Sequence, residues 1–118
     1  MAAMHAAATL QAAQMPRARK YLAWGHKLLG DIAVLEERIE EARSEYQTAL
    51  DTLAQNPCPM IEWQILQASA GATRRTKSDS ASDELLGRAR AVIQLLADSI
   101  RDDTLRRNFL AAKAFREL

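Results

Sequence analysis

The stretch "LLGDIAVLEERIEEARSEYQTAL", Leu28 to Leu50, carries apolar or small residues at Ile32, Leu35, Ile39, Ala42, Tyr46 and Ala49, with Leu53 continuing the series just beyond it. The positions alternate steps of three and four through three heptads, a 3.5-residue period that makes a seam for another helix. Between them lie Glu36, Glu37, Arg38, Glu40, Glu41, Arg43 and Glu45, which read as a wet helix face rather than an acidic binding site. Upstream, Tyr21, Trp24, Leu28 and Ile32, widened by Leu29, form a stripe at helical spacing. That stripe is expected to face a core.

Prolines set the boundaries outward from this stretch. Pro16 suits the first turn of a helix and disrupts an interior, so a helix is expected from about Arg17. Pro57 forces a stop before it, with Asn56 as terminator, and Pro59 starts the next helix, "MIEWQILQASAGA". Gly71 and the polar "TRRTKSDSAS" are expected to break that helix. Ser82, followed by Asp83 and Glu84, is a candidate N-cap for a helix carrying Leu85, Leu86, Ala89, Val92, Ile93, Leu96 and Ile100. Asp102 or Asp103 caps a last helix with Leu105, Phe109 and Leu110 inward. Ala2 to Gln14 is alanine-rich with little apolar payload, the least secure helix of the set.

The chain of 118 residues is expected to form one all-α domain of five to six helices. It divides into a weak N-terminal helix (1–16), two central units (17–56 and 59–98) and a C-terminal helix (102–118). Its length allows roughly two thirds of the unfolded surface to be buried. Ala, Leu, Arg, Glu and Gln dominate over β-branched residues, with four Gly and three Pro, an all-helical composition.

Sixteen Lys and Arg against fifteen Asp and Glu give a formal charge of +1. No global field therefore draws nucleic acid or an anionic membrane. No apolar run approaches the ~20 residues that span a bilayer, and "MAAMHAAATLQAAQ" has neither a basic n-region nor a continuous apolar h-region. One cysteine closes no internal bridge, which fits a reducing compartment, so the expected location is cytoplasmic.

Few residues suggest chemistry. Cys58 has no base or cation in its local sequence to generate thiolate, and it reads as filler between two prolines. Cys58, His5 and His26 show no metal-ligand spacing. Asp102 and Asp103 are explained by capping, and the serines at 78, 80 and 82 have no histidine near in sequence. Neither enzymatic activity nor a cofactor is expected. Three basic groups, Arg17, Arg19 and Lys20, then Arg74, Arg75 and Lys77, then Arg101, Arg106 and Arg107, raise nucleic-acid binding. No helix-turn-helix pattern accompanies them, and arginines near helix ends such as Arg74 and Arg75 complement the macrodipole instead. Trp63 after Pro59 reads as core, whereas Trp24 fits either a core or an interface.

The opening stretch resembles a tetratricopeptide repeat. Leu29 and Gly30 match the leucine–glycine pair of that family's first helix, and Ala42, Tyr46 and Ala49 match the small, aromatic and small positions of the second, with the family's spacing met without a gap. A weaker unit runs from Trp63 to about Leu96, with Gly71 near the tight-contact position and Ser82, Leu86 and Ala89 near the triplet, off by one residue. The tail "LADSIRDDTLRRNFLAA" resembles the end segment after such repeats in large bacterial regulatory proteins with NTPase, transcription-factor or cyclase domains, and "NPCPMIEWQIL" resembles the joint between their last repeats.

The resemblance implies stacked antiparallel helical hairpins acting as a non-enzymatic scaffold for a protein or peptide partner. Trp24, Lys27, Asp31 and Arg75 would then be exposed for binding. Two units fall below the usual three, so apolar ends want a cap or partner, and a homodimer is expected. The chain departs from the family in two places. Glu37 stands where glycine usually makes the turn, so the alternatives are a hairpin or one helix of about 55 Å from Arg17 to Ala54, completed by a second chain. Family members that grip a peptide carboxylate use paired lysine and asparagine side chains. The matching places hold Lys27 and Asp31, with Ala68 and Ala72 in the second unit, and Asp31 would repel a carboxylate.

Overall fold

The computed structural model describes residues 16–76 and 78–112, so the expected helix at Ala2 to Gln14 lies outside the described residues. Five helices and no strand are present among them: α1 (Pro16–Leu35), α2 (Ile39–Leu53), α3 (Pro59–Arg74), α4 (Asp79–Asp98) and α5 (Asp103–Leu110). The fold is all-α. Residues 1–58 and 59–118 form two compact units, and each is described by itself.

In the first unit α1 and α2 make an antiparallel hairpin, which decides between the two alternatives at Glu37. The amide of Arg38 donates to the carbonyl of Ala33 (2.8 Å) and that of Glu37 to Val34 (3.0 Å). This pair of bonds is the Schellman termination, which needs a left-handed residue at the position Glu37 occupies. Glu37 has φ 61°, the only positive φ at a non-glycine residue among the described ones.

The hairpin packs through small residues. Ala23, Gly30 and Ala33 of α1 are buried, as are Ala42, Tyr46, Ala49, Leu50 and Leu53 of α2. The expected inward stripe of α1 is reversed at all but Trp24, which is half-buried: Tyr21, Leu28, Leu29 and Ile32 are 71, 44, 51 and 47% exposed, and Leu35 is 83% exposed. The expected seam divides accordingly, its α2 part covered and Ile32 and Leu35 open. Residues without bulk let two helices approach closely, so the covered face of α1 is the small one and the large side chains point away.

In the second unit α3 and α4 form another hairpin. Pro59 opens α3, as the proline's fixed φ favours. Gly71 does not break it; α3 continues to Arg74, because one glycine costs only about 1 kcal/mol inside a helix. Helix α4 begins at Asp79, three residues before the proposed Ser82 cap, and Ser78 occupies the cap position without a capping side-chain bond. Ser82 is fully buried, and its hydroxyl donates to the carbonyl of Ala70 across the hairpin (2.9 Å).

The buried register of the first unit recurs 40 positions later, at Ala23 and Trp63, Ala33 and Thr73, Ala42 and Ser82, Ala49 and Ala89, and Leu53 and Ile93. Gly30 pairs in this register with Ala70, not with Gly71, which is exposed. From Ala70 the steps to Ser82, Leu86 and Ala89 equal those from Gly30 to Ala42, Tyr46 and Ala49, which accounts for the one-residue offset in the sequence.

Helix α5 is capped by Asp102, whose carboxylate accepts from the Leu105 amide (2.9 Å). Leu105 is 60% exposed rather than inward, and no residue of α5 is fully buried. Arg106 ties α5 to the end of α4, donating to the carbonyls of Ala97 (3.2 Å) and Ile100 (2.6 Å) and pairing with Asp103 (3.0 Å).

Candidate interaction surface

Helix α1 carries two different faces. Beside the covered small residues runs a polar row whose members are engaged within the hairpin. Lys27 Nζ lies 2.7 Å from Asp31 Oδ2 and 5.0 Å from the centroid of the Trp24 ring. The other oxygen of Asp31 accepts from the Tyr46 hydroxyl (2.6 Å). Burial, and the Asp31 carboxylate beside it, push the Tyr46 phenol well above its ordinary range, since the anion would lose water and meet a negative charge. His26 Nδ1 and Glu45 Oε2, 2.7 Å apart, add a second polar link between the helices.

Of the four residues expected to bind a partner, three thus meet in one chain of contacts, Trp24 to Lys27 to Asp31, and continue to Tyr46. Lys27 and Asp31 are half-buried; Asp31 reaches across to α2 through Tyr46, and Lys27 pairs with it within α1. Arg75 belongs to the second unit, exposed one residue beyond α3.

The surface that sequence reasoning missed is the outer face of α1: Tyr21, Leu28, Ile32 and Leu35, flanked by Leu29. At 100° per residue these four lie within about 60° of one another, on the side opposite Ala23 and Gly30. A signal for this was present, because Ala23, Gly30 and Ala33 occupy the other face at helical spacing and residues without bulk mark the close approach.

Several acidic and basic groups elsewhere are paired locally. Arg38 pairs with Glu36 (3.2 Å) and with Glu41, and Arg43 with Glu40 (3.2 Å). Arg106, one of the cations weighed for nucleic acid, is held by backbone carbonyls. Cys58 is a half-buried thiol in the link between α2 and α3. Among the described residues no group of three or more His, Cys, Asp or Glu could hold a metal ion, and no helix is long and apolar enough to cross a membrane.

No protein-family model matches the chain, and neither a curated protein nor a solved structure shows significant similarity to it.

Proposed function

We propose that the chain is a non-enzymatic helical-hairpin scaffold of the tetratricopeptide type, which binds protein through the outer face of α1. The observation that carries this reading is the inversion of α1, whose small residues are covered while Tyr21, Leu28, Leu29, Ile32 and Leu35 are left to solvent. Scattered exposed apolar residues are ordinary on a protein surface, but a contiguous row of them marks an interaction site. The 40-residue recurrence of buried positions supports a repeat-like construction, in which each hairpin leaves a face for the next element. The resemblance of Gly30, Ala42, Tyr46 and Ala49 to the tetratricopeptide pattern adds to it.

The binding surface in this reading is the apolar row, while Trp24, Lys27 and Asp31 line its border. A photo-crosslinking amino acid at position 28, compared in cells with one at the exposed Gln47 of α2, tests it. Adducts from position 28, lost when Ile32→Glu is added, and none from position 47 are the expected result. Equal labelling, or none from either position, overturns the reading.

A further inference from the structure

The outer face of α1 is complementary to itself. Tyr21, Gly25, Leu28, Ile32 and Leu35 follow steps of four, three, four and three, the spacing of a seam that receives another helix. A Cβ placed on Gly25 would meet no atom within 4 Å, so the seam has a gap beside the bulk of Leu28. When two such helices run antiparallel in the register that sets Tyr21 opposite Ile32 of the other copy, Leu28 faces the other copy's Gly25. Large residues meet small ones there, and two-fold symmetry makes each contact twice.

Charge selects the same direction. Residues 16–20, "PRARK", carry a net +3, and residues 36–41, "EERIEE", a net −3. Helix α1 has no acid in its first turn and no base in its last, so the two blocks add to its macrodipole instead of offsetting it. A parallel copy would bring +3 against +3 and −3 against −3. An antiparallel copy brings each basic end alongside an acidic one.

We propose that two copies of the chain associate through the outer faces of α1, antiparallel and about a two-fold axis. This rests on the interaction reading above and names its partner. The test is the solution mass of the full chain by light scattering over a concentration series at low salt. The expected result is twice the 13.1 kDa chain mass, reverting towards a single chain on dilution and with added salt, which screens the end charges. Leu28→Glu should give the single-chain mass with an unchanged circular dichroism spectrum. Reversing one end alone, with Arg19→Glu and Lys20→Glu, should weaken association roughly tenfold, since each lost surface pair is small but each is made twice. Adding Glu36→Lys and Glu37→Lys to the same chain should restore it, because both ends are then reversed together. A parallel pair would show no such rescue.

A single-chain mass at every concentration overturns the proposal, as does a dimer that Leu28→Glu or the end reversal leaves unmoved. If the purified chain is monomeric while position 28 crosslinks to a different protein in cells, the second copy is excluded and the interaction reading stands. If position 28 also gives no adduct, both fail.

Discussion

Gly30 lies under the ring of Tyr46 so closely that a Cβ on the glycine would sit 2.5 Å from Cε1 and 2.8 Å from Cδ1 and Cζ. The ring is 1% exposed and held at its far end by Asp31, so it has no free direction in which to yield. Gly30→Ala should therefore cost on the order of 1–3 kcal/mol, the range for overpacking a filled core. Gly87, exposed inside α4 with nothing within 4 Å of a Cβ, is the control: Gly87→Ala should add about 0.5–1 kcal/mol of stability. Urea unfolding followed by circular dichroism checks both, and equal effects at the two sites would refute the close contact.

The bond from Tyr46 to Asp31 makes stability depend on pH at the alkaline end. The phenol is raised above its ordinary 10.0 in the folded chain, so above that pH the unfolded chain releases a proton that the folded chain keeps. The unfolded state then binds fewer protons, and stability falls as pH rises. The contribution is fully present below pH 10 and is lost above it. Tyr46→Phe should lose about 1 kcal/mol at neutral pH, the net worth of one hydrogen bond, and should show a shallower decline between pH 9 and 11. Parallel declines in the two proteins would mean that the hydroxyl is not held.

Glu37 adopts φ 61°, a conformation that costs a residue with a Cβ about 1 kcal/mol or more and glycine nothing. Glu37→Gly should accordingly stabilise the first hairpin by about 1 kcal/mol, and the β-branched Glu37→Val should destabilise it by a similar amount. Thermal unfolding ranks the three proteins. An order with valine above glycine would indicate that the helices are continuous in solution.

How much of this was legible beforehand varies with how local the physics is. The starts at Pro16 and Pro59 could be read because a proline's constraint acts within one or two residues, whereas α2 ends at Leu53 with Ala54 as its cap, ahead of the expected terminator Asn56 and beyond the reach of Pro57. The turn at Glu37 could not be read, since its left-handed conformation is imposed by the packing of α1 on α2 against the residue's own preference. The direction of α1 is hidden for a different reason: an apolar stripe looks the same whether it is covered or bare, and only the small residues opposite it distinguish the cases. Ser82 resembled a cap because serine before acids usually is one, yet its hydroxyl serves the carbonyl of Ala70 across the second hairpin. Trp24, Lys27 and Asp31, expected together as partner-binding residues, are in contact, but Asp31 is bonded across to Tyr46 of α2 and Lys27 is paired with Asp31 within α1.

Arg106 supplies a last prediction, because it holds an element that buries no residue of its own. Its guanidinium donates to the carbonyl of Ala97, in the last turn of α4, and to that of Ile100, two residues beyond it, and a cation there also meets the negative end of the helix dipole. Helix α5 has only eight residues, too few to stand alone in water, so its order depends on this tie and on the Asp102 cap. Arg106→Ala should speed amide hydrogen exchange across 103–110 by roughly ten- to a hundredfold, corresponding to charge-assisted bonds of about 1.5–3 kcal/mol. The amides of Ala89 and Ile93, in the covered part of α4, should keep their rates. Exchange in α5 that does not change would show that the helix is held by something other than this arginine.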